Sequence, residues 1–126
     1  MTQADVRKIQ LAKAPIAAGI QILLQEKDWK IKDIDQVILA GGFGSYMRKE
    51  SAAEIGLIPK ELVKCTHSVG NAAGEGAVSA ALASEARTEL EQLQKQMRYV
   101  ELSTHEAFSD IFIREMSFTN SYMRSE

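Results

Sequence analysis

The sequence predicts an α/β fold with a small, mainly parallel sheet flanked by long helices. Three features carry that expectation. Gln36-Val37-Ile38-Leu39-Ala40 is a short apolar run ending in glycines, the pattern of a strand covered on both faces. Leu62-Val63-Lys64-Cys65-Thr66 is a weaker second run that follows a short helical stretch. Strand, helix, strand is a βαβ unit, whose strands run parallel with a right-handed crossover. Two long helical stretches, 2–27 and 71–97, bracket that unit.

In the first stretch Thr2 is suited to cap the helix, and Asp5 sits in the first turn, where a carboxylate meets the positive end of the helix dipole. Val6, Ile9, Ile16, Ile20 and Leu23 recur at spacings of three, four or seven, which makes one apolar stripe. Pro15 interrupts it: the missing N–H removes the bond to the Leu11 carbonyl, so a kink or a split is expected at a cost of roughly 3 kcal/mol. Ala12, Ala14, Ala17, Ala18 and Gly19 surround the proline and would let another backbone approach closely. Gly41-Gly42-Phe43-Gly44-Ser45 then reads as a turn, and a short helix from about Met47 to Ile55 stops at Gly56. Leu57-Ile58-Pro59 is extended, because the residue before proline avoids helical angles.

Asn71 is a good cap for the second long helix, whose first half is nearly all small residues. Leu82, Ala86, Leu90, Leu93 and Met97 form a stripe along its second half. Tyr99-Val100-Glu101-Leu102 resembles one more strand. Ser103 with Glu106 three residues later matches a capping box that would open a final helix, with Phe108, Ile111, Phe112 and Met116 inward. The polar stretch 118–126 is expected to fray. Two or three strands are few for so many helices, and parallel strands need covered faces and neighbours. The 126 residues therefore read as a single unit that is a fragment of a larger domain, or that completes its sheet with a second copy.

Composition excludes several function classes. Hydrophobic residues make up 45% and charged residues 25%, an ordinary balance for a packed domain. Fifteen Lys and Arg against 17 Asp and Glu give a net charge of -2, so there is no basic excess for a nucleic-acid backbone. Cys65 is the single cysteine, which rules out an internal disulfide and cannot by itself hold a zinc ion or an iron–sulfur cluster. Two histidines, His67 and His105, do not complete a metal site. The most apolar stretch, Ala14 to Leu24, is too short to span a membrane. No leader pattern opens the chain, and a free thiol fits a reducing compartment, so a cytoplasmic location is expected.

Two stretches could carry chemistry. Gly41 to Ser45 lies at the carboxyl end of a strand, where open α/β sheets bind ligands; glycines there expose backbone, and N–H groups at the start of the next helix favour anions. The dinucleotide fingerprint G-x-G-x-x-G fails on spacing, since from Gly42 its third glycine falls on Met47, and no Gly-Lys-Ser/Thr triplet exists for a P-loop. Composition alone leaves a structural and a ligand-binding role both open. Gly70 to Ala77 is the second stretch. Glycine in a helix costs about 1 kcal/mol relative to alanine, so Gly74 and Gly76 imply a close contact, either with the sheet or with a ligand beside the first loop. Glu75 could orient a water or a metal there. Cys65 and His67, two apart on a strand, share a face, but no orienting group accompanies them; a cysteine packed as a small hydrophobe is the simpler role.

At these two loops the sequence resembles a known family. Val37-Ile38-Leu39-Ala40-Gly41-Gly42-Phe43-Gly44 is similar to the adenosine motif of the superfamily that contains acetate and sugar kinases, heat-shock chaperones and actin, and Gly74-Glu75-Gly76-Ala77 is similar to the small-residue helix that follows it. More narrowly, the chain resembles the C-terminal portion of ATP-dependent reductive activators of corrinoid proteins. The resemblance runs in one order through residues 5–14, the glycine loop to Tyr46, Glu50-Ser51-Ala52, Ile55-Gly56-Leu57-Ile58-Pro59, Val69 to Ala77, and Tyr99-Val100-Glu101-Leu102-Ser103. It implies part of a ribonuclease-H-like half-domain, and a parent protein that uses ATP to drive reduction of cob(II)alamin to cob(I)alamin for a corrinoid partner. Carried over by position, Gly41, Gly42, Phe43, Gly44 and Ser45 would line the adenosine, with Asn71 and Gly74 bordering the cleft. Cluster cysteines, both phosphate-binding hairpins and their catalytic acids are absent from this chain, so the resemblance places the iron–sulfur cluster in an N-terminal part and leaves this piece without catalytic residues. ATP is then expected to bind in the parent protein and only weakly, or not at all, to this chain alone, because the phosphates have no clamp here. Two alternatives stand beside it: a homodimerisation or assembly module, and the tail of another superfamily member such as an acyl-CoA dehydratase activator or a sugar kinase.

Overall fold

A computed structural model of the chain describes residues 2–118; the side chain of Phe43 and the expected frayed stretch from 119 onward lie outside the described residues. The molecule is mainly helical around a two-stranded parallel sheet. Helix α1 runs Gln3–Lys27, strand β1 Val37–Leu39, α2 Gly41–Tyr46, α3 Lys49–Glu54, strand β2 Thr66–Ser68, α4 Ala72–Leu82, α5 Ser84–Gln96 and α6 Phe108–Glu115. Short 3-10 turns at Ile31–Asp33 and Lys60–Cys65 precede the two strands. In register, Val37 lies opposite Thr66, Ile38 opposite His67 and Leu39 opposite Ser68.

Thr2 opens α1 as expected. Its hydroxyl accepts from the Asp5 N–H at 3.2 Å, and the Asp5 carboxylate accepts from the Thr2 N–H at 2.8 Å, a reciprocal cap that holds the Asp5 carboxyl below its usual range. Pro15 neither splits α1 nor ends it. The residues around it explain why: Ala14, Ala17 and Ala18 are wholly buried, so tight packing on both sides offsets the lost bond. The buried face of α1 is consequently made of Lys13, Ala14, Ala17, Ala18, Gly19 and Ile22, whereas Ile16 and Leu23 of the expected stripe are exposed.

That small-residue face lets α1 serve two clusters. Ile20 packs against Ala52, Ala53, Leu57 and Ile58, while Ala18 and Ile22 pack with Ile111, Leu102, Phe108 and Phe112. Gly56 ends the turn after α3 in the left-handed region, with φ +77°. Tyr99 to Leu102 is not a strand; Val100 and Leu102 instead point together into the α1–α6 cluster. Arg98 donates to Glu26, and His105 Nε2 lies 3.5 Å from the same carboxylate, which fastens this irregular stretch to the end of α1. The last helix begins at Phe108, not at Ser103, whose N–H and hydroxyl both donate to Glu101.

Three further expectations are corrected. The second strand starts at Thr66, because residues 60–65 wind into a 3-10 turn in which the Thr66 hydroxyl donates to the Leu62 carbonyl at 2.7 Å. Cys65 sits in that turn, half-buried, with its thiol donating to the same carbonyl. The helix after Asn71 breaks at Ala83, which is extended. Finally, β1 is not covered on both faces: Ile38 is 60% exposed.

Candidate functional site

Because β1 and β2 are parallel neighbours, the loops that leave them emerge side by side at one edge of the sheet. Val69 N–H donates to the Leu39 carbonyl and Gly41 N–H to the Gly70 carbonyl, both at 2.8 Å, so the first glycine loop is stitched to the second just beyond the strands. Gly41 adopts φ +67°, which turns the chain sharply from β1 into α2; the expected turn over 41–45 is thus a short helix. The Ser45 hydroxyl donates to the Gly41 carbonyl at 3.2 Å and steadies that helix. Asn71 caps α4 as the sequence predicts, its side chain accepting from Gly74 N–H at 3.0 Å.

The glycines divide into two kinds. A side chain on Gly44 would stand 1.9 Å from the Val69 carbonyl oxygen and 2.1 Å from that of Leu39, and one on Gly74 would stand 2.3 Å from the Asn71 amide nitrogen. Those two are glycines because the chain's own backbone and cap fill the space. At Gly41, Gly42, Gly70 and Gly76, chain neighbours and the helix's own backbone aside, nothing among the described residues lies within 4 Å of the position a side chain would take. The edge therefore shows bare backbone at Gly41, Gly42 and Gly70, beside the capped start of α4. A planar or sugar-like group can lie flush against such a surface, and the N–H groups of the first turn of α4 add a partial positive charge.

The site holds little that could do covalent chemistry. Glu75 is exposed in the first turn of α4, and among the described residues no three His, Cys, Asp or Glu side chains gather to hold a metal. Gly70 was legible in the sequence only as the start of the small-residue stretch to Ala77; its carbonyl's bond to Gly41 depends on register between distant segments and no local signal announces it. A separate shallow cleft of about 400 Å³ is lined by Ile31, Ile34, Leu62 and Cys65 with Lys32 and Glu61, from the segments that enter the strands. No described helix is long and apolar enough to cross a membrane.

Comparison with known proteins gives the edge its context. The chain is 33% identical over 123 residues to a corrinoid activation enzyme, RamQ, from Eubacterium limosum, a match that takes in 98% of this chain and 21% of that protein. A solved structure of a reductive activator for corrinoid, iron–sulfur protein matches with a TM-score of 0.81 and 38% identity, over 90% of this chain and 18% of that one. The chain thus spans about a fifth of the length of either relative. The family described as the C-terminal domain of RACo, the ASKHA domain, matches residues 1–125. A match of that extent, on a fold whose two glycine loops meet at one sheet edge, means that the chain belongs to the family of the RACo C-terminal ASKHA domain.

Proposed function

We propose that this chain supplies the adenosine-facing wall of the ATP site in a reductive activator of a corrinoid protein. The observation that carries the proposal is the bare backbone at Gly41 and Gly42, tied to Gly70 at the carboxyl edge of two parallel strands. An adenosine fits that surface: its ribose and base need close backbone approach, and glycine there offers it. Gly41, Gly42, the Phe43 backbone and Ser45 line the nucleoside, Asn71 borders it, and Gly44 and Gly74 hold the two loops in shape. Bound ATP supplies the free energy for an uphill reduction of the corrinoid. This chain's own residues bind and orient the nucleoside and keep the two loops in register.

The remaining parts of the proposal rest on the likeness to corrinoid activators, together with length and composition. A single cysteine cannot hold an iron–sulfur cluster, so the cluster belongs to the four-fifths of the activator that this chain does not span. The mechanism for the whole activator is conformational, ATP drawing two lobes together and so altering contact with the corrinoid partner. A cytoplasmic setting suits a free thiol and a reductase.

Gly42→Asp tests the reading. Its carboxylate would occupy the nucleoside's place and repel the phosphates. ATP titrated into the full-length activator, followed through backbone amide shifts, is expected to perturb Gly41, Gly42, Gly70 and Asn71, and the variant is expected to bind at least about tenfold more weakly, or roughly 1.4 kcal/mol. Equal shifts in both proteins would remove the loop from the site.

One observation favours a second role as an assembly surface. Neither α4 nor α5 has a buried residue, and Leu82, Leu93 and Met97 are 82%, 55% and 77% exposed. A second copy packed on this arm would give a homodimer. Sedimentation with and without ATP separates the roles, since a tight dimer indifferent to nucleotide supports assembly alone.

A further inference from the structure

Resting on the nucleotide reading above, we infer that Tyr46 is the residue on which the purine ring stacks, and so sets the preference for a base-bearing ligand over a bare polyphosphate. Tyr46 closes α2 and is 91% exposed, more than any other large hydrophobic side chain among the described residues. Tyr99, nearly as exposed, spends its hydroxyl on Glu101; Tyr46 has no comparable contact among the described residues.

Position on the helix gives the ring its use. Gly42 and Tyr46 are four residues apart and share one face of α2, while Gly44 lies on the opposite face, pressed between the Val69 and Leu39 carbonyls. A helical side chain leans toward the N-terminus, over the turn before its own Cα. Tyr46 therefore borders the backbone at Gly42 without filling the space there, since its side chain does not come within 4 Å of the Gly42 side-chain position. An aromatic wall beside a flush backbone floor accepts a flat ring on the wall and its attached sugar on the floor. Stacking recognises the π-face that every base carries, so the site discriminates nucleotides from inorganic polyphosphates more sharply than one base from another.

The test compares ATP, GTP and inorganic tripolyphosphate on the full-length activator as wild type, Tyr46→Phe and Tyr46→Ala, with affinity read from backbone amide shifts. Tyr46→Phe keeps the ring and is expected to stay within about twofold of wild type for all three probes. Tyr46→Ala is expected to lose about tenfold for ATP and for GTP, with tripolyphosphate unchanged. Unchanged ATP affinity in Tyr46→Ala, with the wild type binding ATP, overturns the stacking role and leaves the nucleotide site standing. An equal loss for ATP and tripolyphosphate overturns it too, because the ring would then be shaping the loop. A wild-type activator in which these amides shift with none of the probes sinks the nucleotide reading, and the stacking role falls with it.

Discussion

Gly44→Ala is expected to lower the stability of the chain by at least about 3 kcal/mol, beyond the usual range for overpacking a core. The reason is what the new methyl group would strike. It would stand 1.9 Å from the Val69 carbonyl oxygen and 2.1 Å from that of Leu39, and both belong to backbone at the ends of the two strands. A flexible side chain could swing away; these carbonyls cannot, since the Leu39 oxygen already accepts from Val69 N–H in the bond that closes the sheet edge. The methyl must pry the strands apart or push α2 off the edge. A urea midpoint shift with an unchanged slope measures the loss, and faster hydrogen exchange at Val69 N–H locates it. A variant within about 1 kcal/mol of wild type would mean that the loop yields far more easily than its packing implies.

Gly42→Ala, two residues away, is expected to do the reverse. The position lies inside a helix without positive φ and has nothing within 4 Å of the added methyl, so replacing glycine should raise stability by up to about 1 kcal/mol. A glycine where alanine would be more stable is what close approach of a ligand to bare backbone would require. The contrast between these neighbours was not legible in the sequence, where both read as members of one glycine-rich turn.

What was legible had a local cause. Thr2 and Asn71 cap helices because their side-chain oxygens reach N–H groups three residues on, and Gly56 ends a turn because glycine takes φ +77° cheaply. The parallel β1–β2 pair followed from the order of apolar runs. The misses have tertiary causes. Pro15 stays inside α1 because buried alanines pack around it, and the alternation at Val100 and Leu102 was real but served a helix–helix cluster instead of a sheet. Ala83 breaks the helix after Asn71 with no proline, glycine or side-chain cap to announce it. Tyr46 was visible only as the end of a motif; its exposure and its place above Gly42 required α2 to be a helix.

Glu115→Ala carries the other large expected loss, about 3–5 kcal/mol, and nothing in the helix periodicity pointed to it. Lys13 and Glu115 are each 1% exposed, one on α1 and the other on α6, so the joint between the two helices holds two buried charged side chains beside its apolar cluster. The Lys13 ammonium donates to the Ser117 carbonyl and lies 5.7 Å from the centre of the Phe118 ring, while Glu115 accepts from Gln21 at 2.5 Å. Burial pushes the Lys13 ammonium below the ordinary lysine value of 10.5, and the Glu115 carboxylate partly restores it. Removing the carboxylate leaves a buried cation without that offset, whereas replacing both residues, as in Lys13→Met with Glu115→Leu, removes the burial cost as well and should recover most of the loss. The sign of the pH dependence follows. A lysine whose folded pKa is lowered binds its proton less readily in the folded state than in the unfolded one, so wild-type stability should climb as pH rises from that lowered value toward 10.5. In Glu115→Ala the climb should begin at lower pH, and in Lys13→Met it should vanish. Urea titrations across that range, run on all three proteins, decide the matter: identical slopes would mean that Lys13 keeps its charge at no cost, and the joint would then owe its strength to the apolar contacts of Ala18, Ile22 and Ile111 alone.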